Sequence, residues 1–125
     1  DPIYDFRLVA ECTLNMCDAV RRSSPASKLI YTSSAAVYGD PQSLPIGEEH
    51  RIAPVSPYGL HKYTAEQEVR LHAELYGLRT ASARLFSVYG PRQRKQIIFD
   101  IARKIIASPE KIFQARVPRA SMIRL

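Results

Sequence analysis

Hydrophobic and polar positions alternate between two periods along this chain. Over residues 3–22, Phe6, Val9, Ala10, Leu14, Cys17 and Val20 recur at steps of three and four, which lays one apolar stripe along a helix of about five turns. Ser23, Ser24 and Pro25 end it. The stretch KLIYTSS, residues 28–34, has no helical period and reads as a short strand covered on both faces, with polar residues gathered at its carboxyl end. Residues 39–55 hold Pro41, Pro45, Gly47 and Pro54 and form a long connection, of a size more often functional than idle. Ser56 then has the chemistry of an N-cap and Pro57 that of a first helical position, so a helix is predicted from 57 to 76, stopped by Gly77. Residues 78–86 form a second strand candidate, closed by a turn at Gly90 and Pro91. Helical spacing returns over 96–107 through Ile97, Ile98, Ile101, Ile105 and Ile106, and Ile112 and Phe113 start one more strand.

Helix, strand, helix, strand, helix is the order of an α/β protein built on an open parallel sheet. Such sheets bind ligands beyond the carboxyl ends of their strands, where the polar clusters at 32–34 and 86–90 fall. A composition of 46% hydrophobic and 24% charged residues is that of a globular domain and excludes a disordered tail. No apolar run reaches the roughly 20 residues of a membrane span, and the opening DPIYDF has no leader pattern, so the cytosol is the expected compartment. Cys12 and Cys17, five apart on one helix, do not make a metal or redox motif and read as two buried thiols. Net charge is +6, yet the basic residues are scattered up to Arg92, Arg94 and Lys95, without the interleaved glycines and aromatics of an RNA-binding surface. No nucleic-acid partner is expected.

The stretch SPYGLHK carries the candidate chemistry. Tyr58 and Lys62 lie four apart on the predicted helix and share a face. A free phenol titrates near 10, and bringing one to about 7 takes roughly 4 kcal/mol. One ammonium about 5 Å away supplies on the order of 3 kcal/mol at an effective dielectric of about 20. A tyrosine so placed can take a proton from an alcohol. Ser34, at the end of the first strand, is the candidate third group that holds the reacting oxygen. Arg92, Arg94 and Lys95 either neutralise a pyrophosphate or form a solvated face, with Arg92 the best placed. His61 and His72 lack a metal-like partner set and read as surface or packing residues; no metal is expected.

Three motifs in order carry a resemblance. SSAAVYG (33–39), SPYGLHK (56–62) followed by Glu66, and RLFSVYGPRQ (84–93) are similar to the successive motifs of the extended short-chain dehydrogenase/reductases. Within that family the chain resembles the NAD-dependent nucleotide-sugar epimerases and dehydratases of the UDP-glucose 4-epimerase type. The resemblance implies a Rossmann-like doubly wound parallel sheet, NAD as cofactor and a nucleotide sugar as substrate. It implies that Tyr58 is the proton-transferring base, that Lys62 supports it and holds the nicotinamide ribose, and that Ser34 hydrogen-bonds the sugar hydroxyl. Thr32 and Phe86 would line the nicotinamide end of the cofactor site. Ser87 stands where the family usually has a substrate-contacting asparagine, so that contact is altered. In epimerases of this kind hydride passes to NAD and returns to the other face of a keto-sugar. The positions of a dehydratase's acidic pair are Ala35 and Ala36 here, which disfavours a 4,6-dehydratase. The opening helix and the 57–76 helix are the two that pair in dimers of many family members, so a homodimer is expected of the complete enzyme.

The chain also departs from the family. Its glycines, at 39, 47, 59, 77 and 90, form no phosphate-binding cluster, and Val9 and Cys12 stand where the family tends to have asparagine and glycine. Residues 1–90 therefore read as the C-terminal half of a Rossmann-like NAD-binding domain lacking the glycine-rich N-terminal βαβ unit. Residues 91–125 read as the start of a substrate-binding region, with an unaligned tail from about 114. The expected function is that of an NAD-dependent nucleotide-sugar epimerase, present as a fragment that binds NAD poorly by itself. The alternatives are a dehydratase or reductase of the same superfamily, a non-catalytic remnant serving as an interaction module and, third, a basic RNA-binding module.

Overall fold

The computed structural model describes residues 1–94 and 96–107. They fall into two compact units, Asp1–Phe86 and the residues from Ser87 onward. The first unit opens with α1 (Pro2–Phe6), a π-helical turn (Arg7–Glu11) and α2 (Cys12–Ser23). Asp1 caps α1, its carboxylate accepting from the N–H of Ile3 at 2.8 Å and of Tyr4 at 3.3 Å. The π turn breaks the single stripe that the spacing predicts, because its wider winding rotates everything that follows. The inward line becomes Ala10, Thr13 and Cys17 with Val9 beside it, while Phe6 and Leu14 are exposed. The Thr13 hydroxyl donates to the Val9 carbonyl at 2.6 Å, within the widened turn. The same rotation leaves Cys12 exposed, against the expectation of two buried thiols; Cys17 is buried, which pushes its thiol pKa up.

β1 (Lys28–Ser34) pairs in parallel with β2 (Arg79–Leu85), in a register that sets Lys28 opposite Arg79 and Ser34 opposite Leu85. The chain crosses between them through α3 (Pro57–Tyr76), as parallel strands require. Tyr31 of β1, Cys17 of α2 and Ala65 and Val69 of α3 make the core, with Val9 and Leu29 packed on it. Ile30, whose side chain takes the opposite face, is 68% exposed. Among the described residues the helices of this unit pack on the Tyr31 face of the sheet.

The predicted caps of α3 hold in detail. The Ser56 hydroxyl accepts from the Gly59 N–H at 3.1 Å, Pro57 takes the first turn, and Gly77, at φ 67°, ends the helix with its N–H on the Ala73 carbonyl at 3.0 Å. After β1, residues Ala35–Val37 form a 3-10 turn capped by Ser34. The connection over 39–55 returns to this turn, where the Ala53 N–H donates to the Val37 carbonyl at 3.2 Å. In the second unit Gly90 and Pro91 make the expected turn, closed by the Gln93 N–H on the Gly90 carbonyl at 3.3 Å, and α4 (Gln96–Ala107) follows. The strand expected at Ile112 and Phe113, the tail from 114 and Lys95 lie outside the described residues. Among those described, no helix is long and apolar enough to cross a membrane.

Gly59 brings the first turn of α3 against the 3-10 turn, since a Cβ there would stand 2.5 Å from the Ala36 carbonyl oxygen. In an isolated helix Gly→Ala gains about 1 kcal/mol. Here the sign reverses, because the obstacle is backbone: Gly59→Ala is expected to lower stability by roughly 1–3 kcal/mol in urea unfolding.

Candidate active site

Parallel pairing with no stagger carries the ends of both strands to one edge, so Thr32, Ser33 and Ser34 stand opposite Ala83, Arg84 and Leu85. α3 approaches that edge with its N-terminal half. Lys62 Nζ donates to the Thr32 carbonyl oxygen at 2.9 Å. It also lies 5.0 Å from the centroid of the Tyr31 ring and 5.9 Å from that of Tyr58. Burial pulls the lysine pKa below its ordinary value, opposed by the Asp5 carboxylate. An ammonium has three N–H donors, so the bond to Thr32 leaves donors for a ligand's hydroxyl oxygens.

Tyr58 is 36% exposed, at the margin between core and solvent. The Ser34 hydroxyl accepts from the Ala36 N–H at 3.2 Å, and its own proton is committed to no acceptor among the described residues. The structure thus brings Tyr58, Lys62 and the backbone of Thr32 together, and it places Ser34 two residues further along the same strand. Phe86 follows β2, its ring tilted 30° to that of Tyr38 with centroids 6.4 Å apart. Ser87 and Arg92 belong to the second unit, where both are exposed and Arg92 has φ 70°.

Beneath this edge lies a network that the spacing argument left without a role. Glu66, one turn beyond Lys62 on α3, is 5% exposed and pairs with Arg84 of β2. Arg84 Nε donates to Glu66 Oε1 at 3.0 Å and Nη2 to Oε2 at 2.8 Å. Its remaining nitrogen, Nη1, donates to the Tyr38 hydroxyl at 2.9 Å and to the Glu48 carbonyl at 3.4 Å. Hydrogen bonding to Glu66 raises the Arg84 pKa further, so the guanidinium stays charged throughout. A groove of about 510 Å³ opens beside it between Tyr38, Ile46, Glu48, Arg84 and Phe86. Sequence reasoning also missed Tyr31, whose ring faces Lys62. The available signal for Glu66 was its spacing, four residues beyond Lys62 as Lys62 is four beyond Tyr58. Neither histidine binds a metal-like set: His61 Nδ1 meets Asp5 Oδ2 at 2.6 Å, and His72 Nδ1 donates to the Glu68 carbonyl at 2.8 Å. Among the described residues no group of three potential metal ligands occurs.

Comparison with known proteins agrees with this architecture. A parallel pair crossed by a helix, with polar groups at the carboxyl ends, is an α/β core of the Rossmann-like class. The NAD dependent epimerase/dehydratase family model matches residues 1–117, and the chain belongs to that family of NAD-dependent enzymes. The UDP-glucose 4-epimerase of Azospirillum brasilense is 43% identical over 89 residues, covering 71% of this chain and 25% of that protein. The UDP-glucose 4-epimerase from Brucella ovis, solved in complex with NAD, superposes with a TM-score of 0.63 at 38% identity, over 66% of this chain and 25% of that one. The UDP-N-acetylglucosamine 4-epimerase from Methanobrevibacter ruminantium M1, in complex with UDP-N-acetylmuramic acid, gives 0.78 at 27% identity, over 86% of this chain and 36% of that one. The chain therefore spans between a quarter and roughly a third of the length of these relatives.

Burial around Lys62 has a consequence for pH. Tyr31 is raised by burial to about 12, whereas the phenol of an unfolded chain titrates near 10. The folded state holds this proton the more tightly, so its contribution is whole below about pH 10 and is lost as pH rises toward 12. Urea unfolding across that window is expected to show falling stability, and Tyr31→Phe to flatten the fall.

Proposed function

We propose that this chain carries the catalytic segment of a nucleotide-sugar 4-epimerase, in which Tyr58 moves the proton of a sugar hydroxyl and Lys62 and Ser34 hold the reacting groups. The observation that carries this reading is the Lys62 ammonium, bonded to Thr32 at the sheet edge and lying 5.9 Å from the Tyr58 ring. That contact sets a positive charge and free N–H donors on the same helix face as the phenol that would handle the proton. The Ser34 hydroxyl, already anchored as an acceptor, keeps its proton for the sugar oxygen.

The donor set also suits the nicotinamide-ribose end of NAD. Lys62 has N–H groups for ribose hydroxyls, and Thr32 and Phe86 would line the nicotinamide end of the cofactor. NAD, when bound, supplies the acceptor and donor of hydride at the sugar carbon. The glycines, at 39, 47, 59, 77 and 90, make no pyrophosphate cradle, which supports reading residues 1–90 as the C-terminal half of the cofactor domain. Residues from 91 onward would begin the substrate region, in which Arg92 has the chemistry to bind the pyrophosphate of a UDP-sugar, and Ser87 would be a further substrate-binding residue. Those are the ligands named for relatives of the family.

A homodimer fits the same reading. Tyr4, Leu8, Leu14 and Met16 on the opening helices and Leu71 and Leu75 on α3 are exposed, an apolar surface of the kind that interfaces cover.

In the intact protein with NAD, UDP-glucose and UDP-galactose should interconvert, followed by proton NMR of the sugar. Tyr58→Phe is expected to cut kcat by about 10²–10⁴-fold while leaving the fold unchanged by circular dichroism. Full turnover in that variant would refute the assignment of the base, and a 4-keto sugar as the released product would make the protein a dehydratase.

A further inference from the structure

Catalysis as proposed needs two separate segments to meet, α3 with Tyr58 and Lys62, and the end of β1 with Ser34. Ser34 opens the 3-10 turn through its bond from the Ala36 N–H, and Tyr38 stands directly after that turn. The turn is held hard: Val37 is fully buried, its carbonyl accepts from Ala53, and Gly59 of α3 lies against Ala36. Tyr38 is nearly as buried, and its hydroxyl accepts from Arg84 Nη1 at 2.9 Å. The other edge of the same guanidinium grips Glu66, on the α3 line of Tyr58 and Lys62. We propose that Arg84 is a positioning residue that joins the Ser34 turn to the Tyr58 and Lys62 helix, acting on Ser34 through the Tyr38 hydroxyl. This rests on the epimerase reading above.

A planar guanidinium suits the task because its nitrogens leave in fixed directions, so an anchor on Glu66 dictates where the Tyr38 oxygen must lie. A lysine at 84 would keep the charge and lose that geometry. The expected effect therefore falls on rate rather than on substrate affinity, since a displaced Ser34 hydroxyl weakens the reacting arrangement and leaves the distant nucleotide contacts alone.

Tyr38→Phe isolates the link. It keeps the Glu66 and Arg84 pair, and Nη1 retains the Glu48 carbonyl, so folding is preserved. In the intact protein with NAD and UDP-galactose, Tyr38→Phe is expected to lower kcat about tenfold, with KM within about twofold of wild type and an unchanged urea midpoint. Arg84→Lys should show the same split between kcat and KM. The deciding measurement is a double-mutant cycle: if Arg84 and Tyr38 act through Ser34, then Tyr38→Phe costs nothing more once Ser34→Ala is in place. Wild-type kcat in Tyr38→Phe, or losses that multiply independently with Ser34→Ala, would overturn the positioning role. Full turnover in Ser34→Ala, or a wild-type protein that forms no epimer, would instead overturn the functional reading and this role with it.

Discussion

The Glu66 carboxylate meets the Arg84 guanidinium where the glutamate is 5% exposed, and the site depends on that meeting. An ionised carboxylate taken that far from water costs several kcal/mol unless a charge and hydrogen bonds replace the solvent. Arg84 supplies both, through bonds of 3.0 and 2.8 Å to the two oxygens. Breaking such a pair on one side leaves a buried charge, so α3 is held to β2 at one distance.

Along α3 the consequences run in steps of four. Tyr58, Lys62 and Glu66 follow one another on a single line of the helix, with Glu66 bound to β2 and Lys62 to the β1 carbonyl of Thr32. The helix is thereby tied to both strands by charged groups one turn apart. Tyr58, the next position on the line, projects beyond the core and remains reachable. Gly59 completes the approach by letting the helix backbone close on Ala36, where any side chain would meet the carbonyl. The proton transfer proposed for Tyr58 would need this rigidity because a proton moves productively only over hydrogen-bond distances.

Much of the local structure was legible beforehand. The KLIYTSS strand, the 57–76 helix with Ser56 and Gly77 at its ends, and the 96–107 helix all form as their patterns predict. Capping and periodicity are local, since a hydroxyl three residues from an N–H or an apolar residue every turn acts within a few ångströms of its own backbone. The opening helix departs from its apolar pattern. A π turn adds no signal to the period of an apolar stripe, so the rotation that buries Thr13 and exposes Leu14 and Cys12 could be found only in three dimensions.

By itself the sequence determined the elements, the order that makes an α/β sheet, and the Tyr58 and Lys62 pairing, all matters of spacing within one segment. It carried Glu66 and Arg84 as letters of motifs without saying that they are partners. Tertiary structure alone decided which groups from distant segments meet: Lys62 with Tyr31 and Thr32, Arg84 with Glu66 and Tyr38, and the 39–55 connection with the turn after Ser34. The reason is that desolvation and ion pairing act through space, and residues 30 or 46 apart in the chain become neighbours only once the parallel strands are in register.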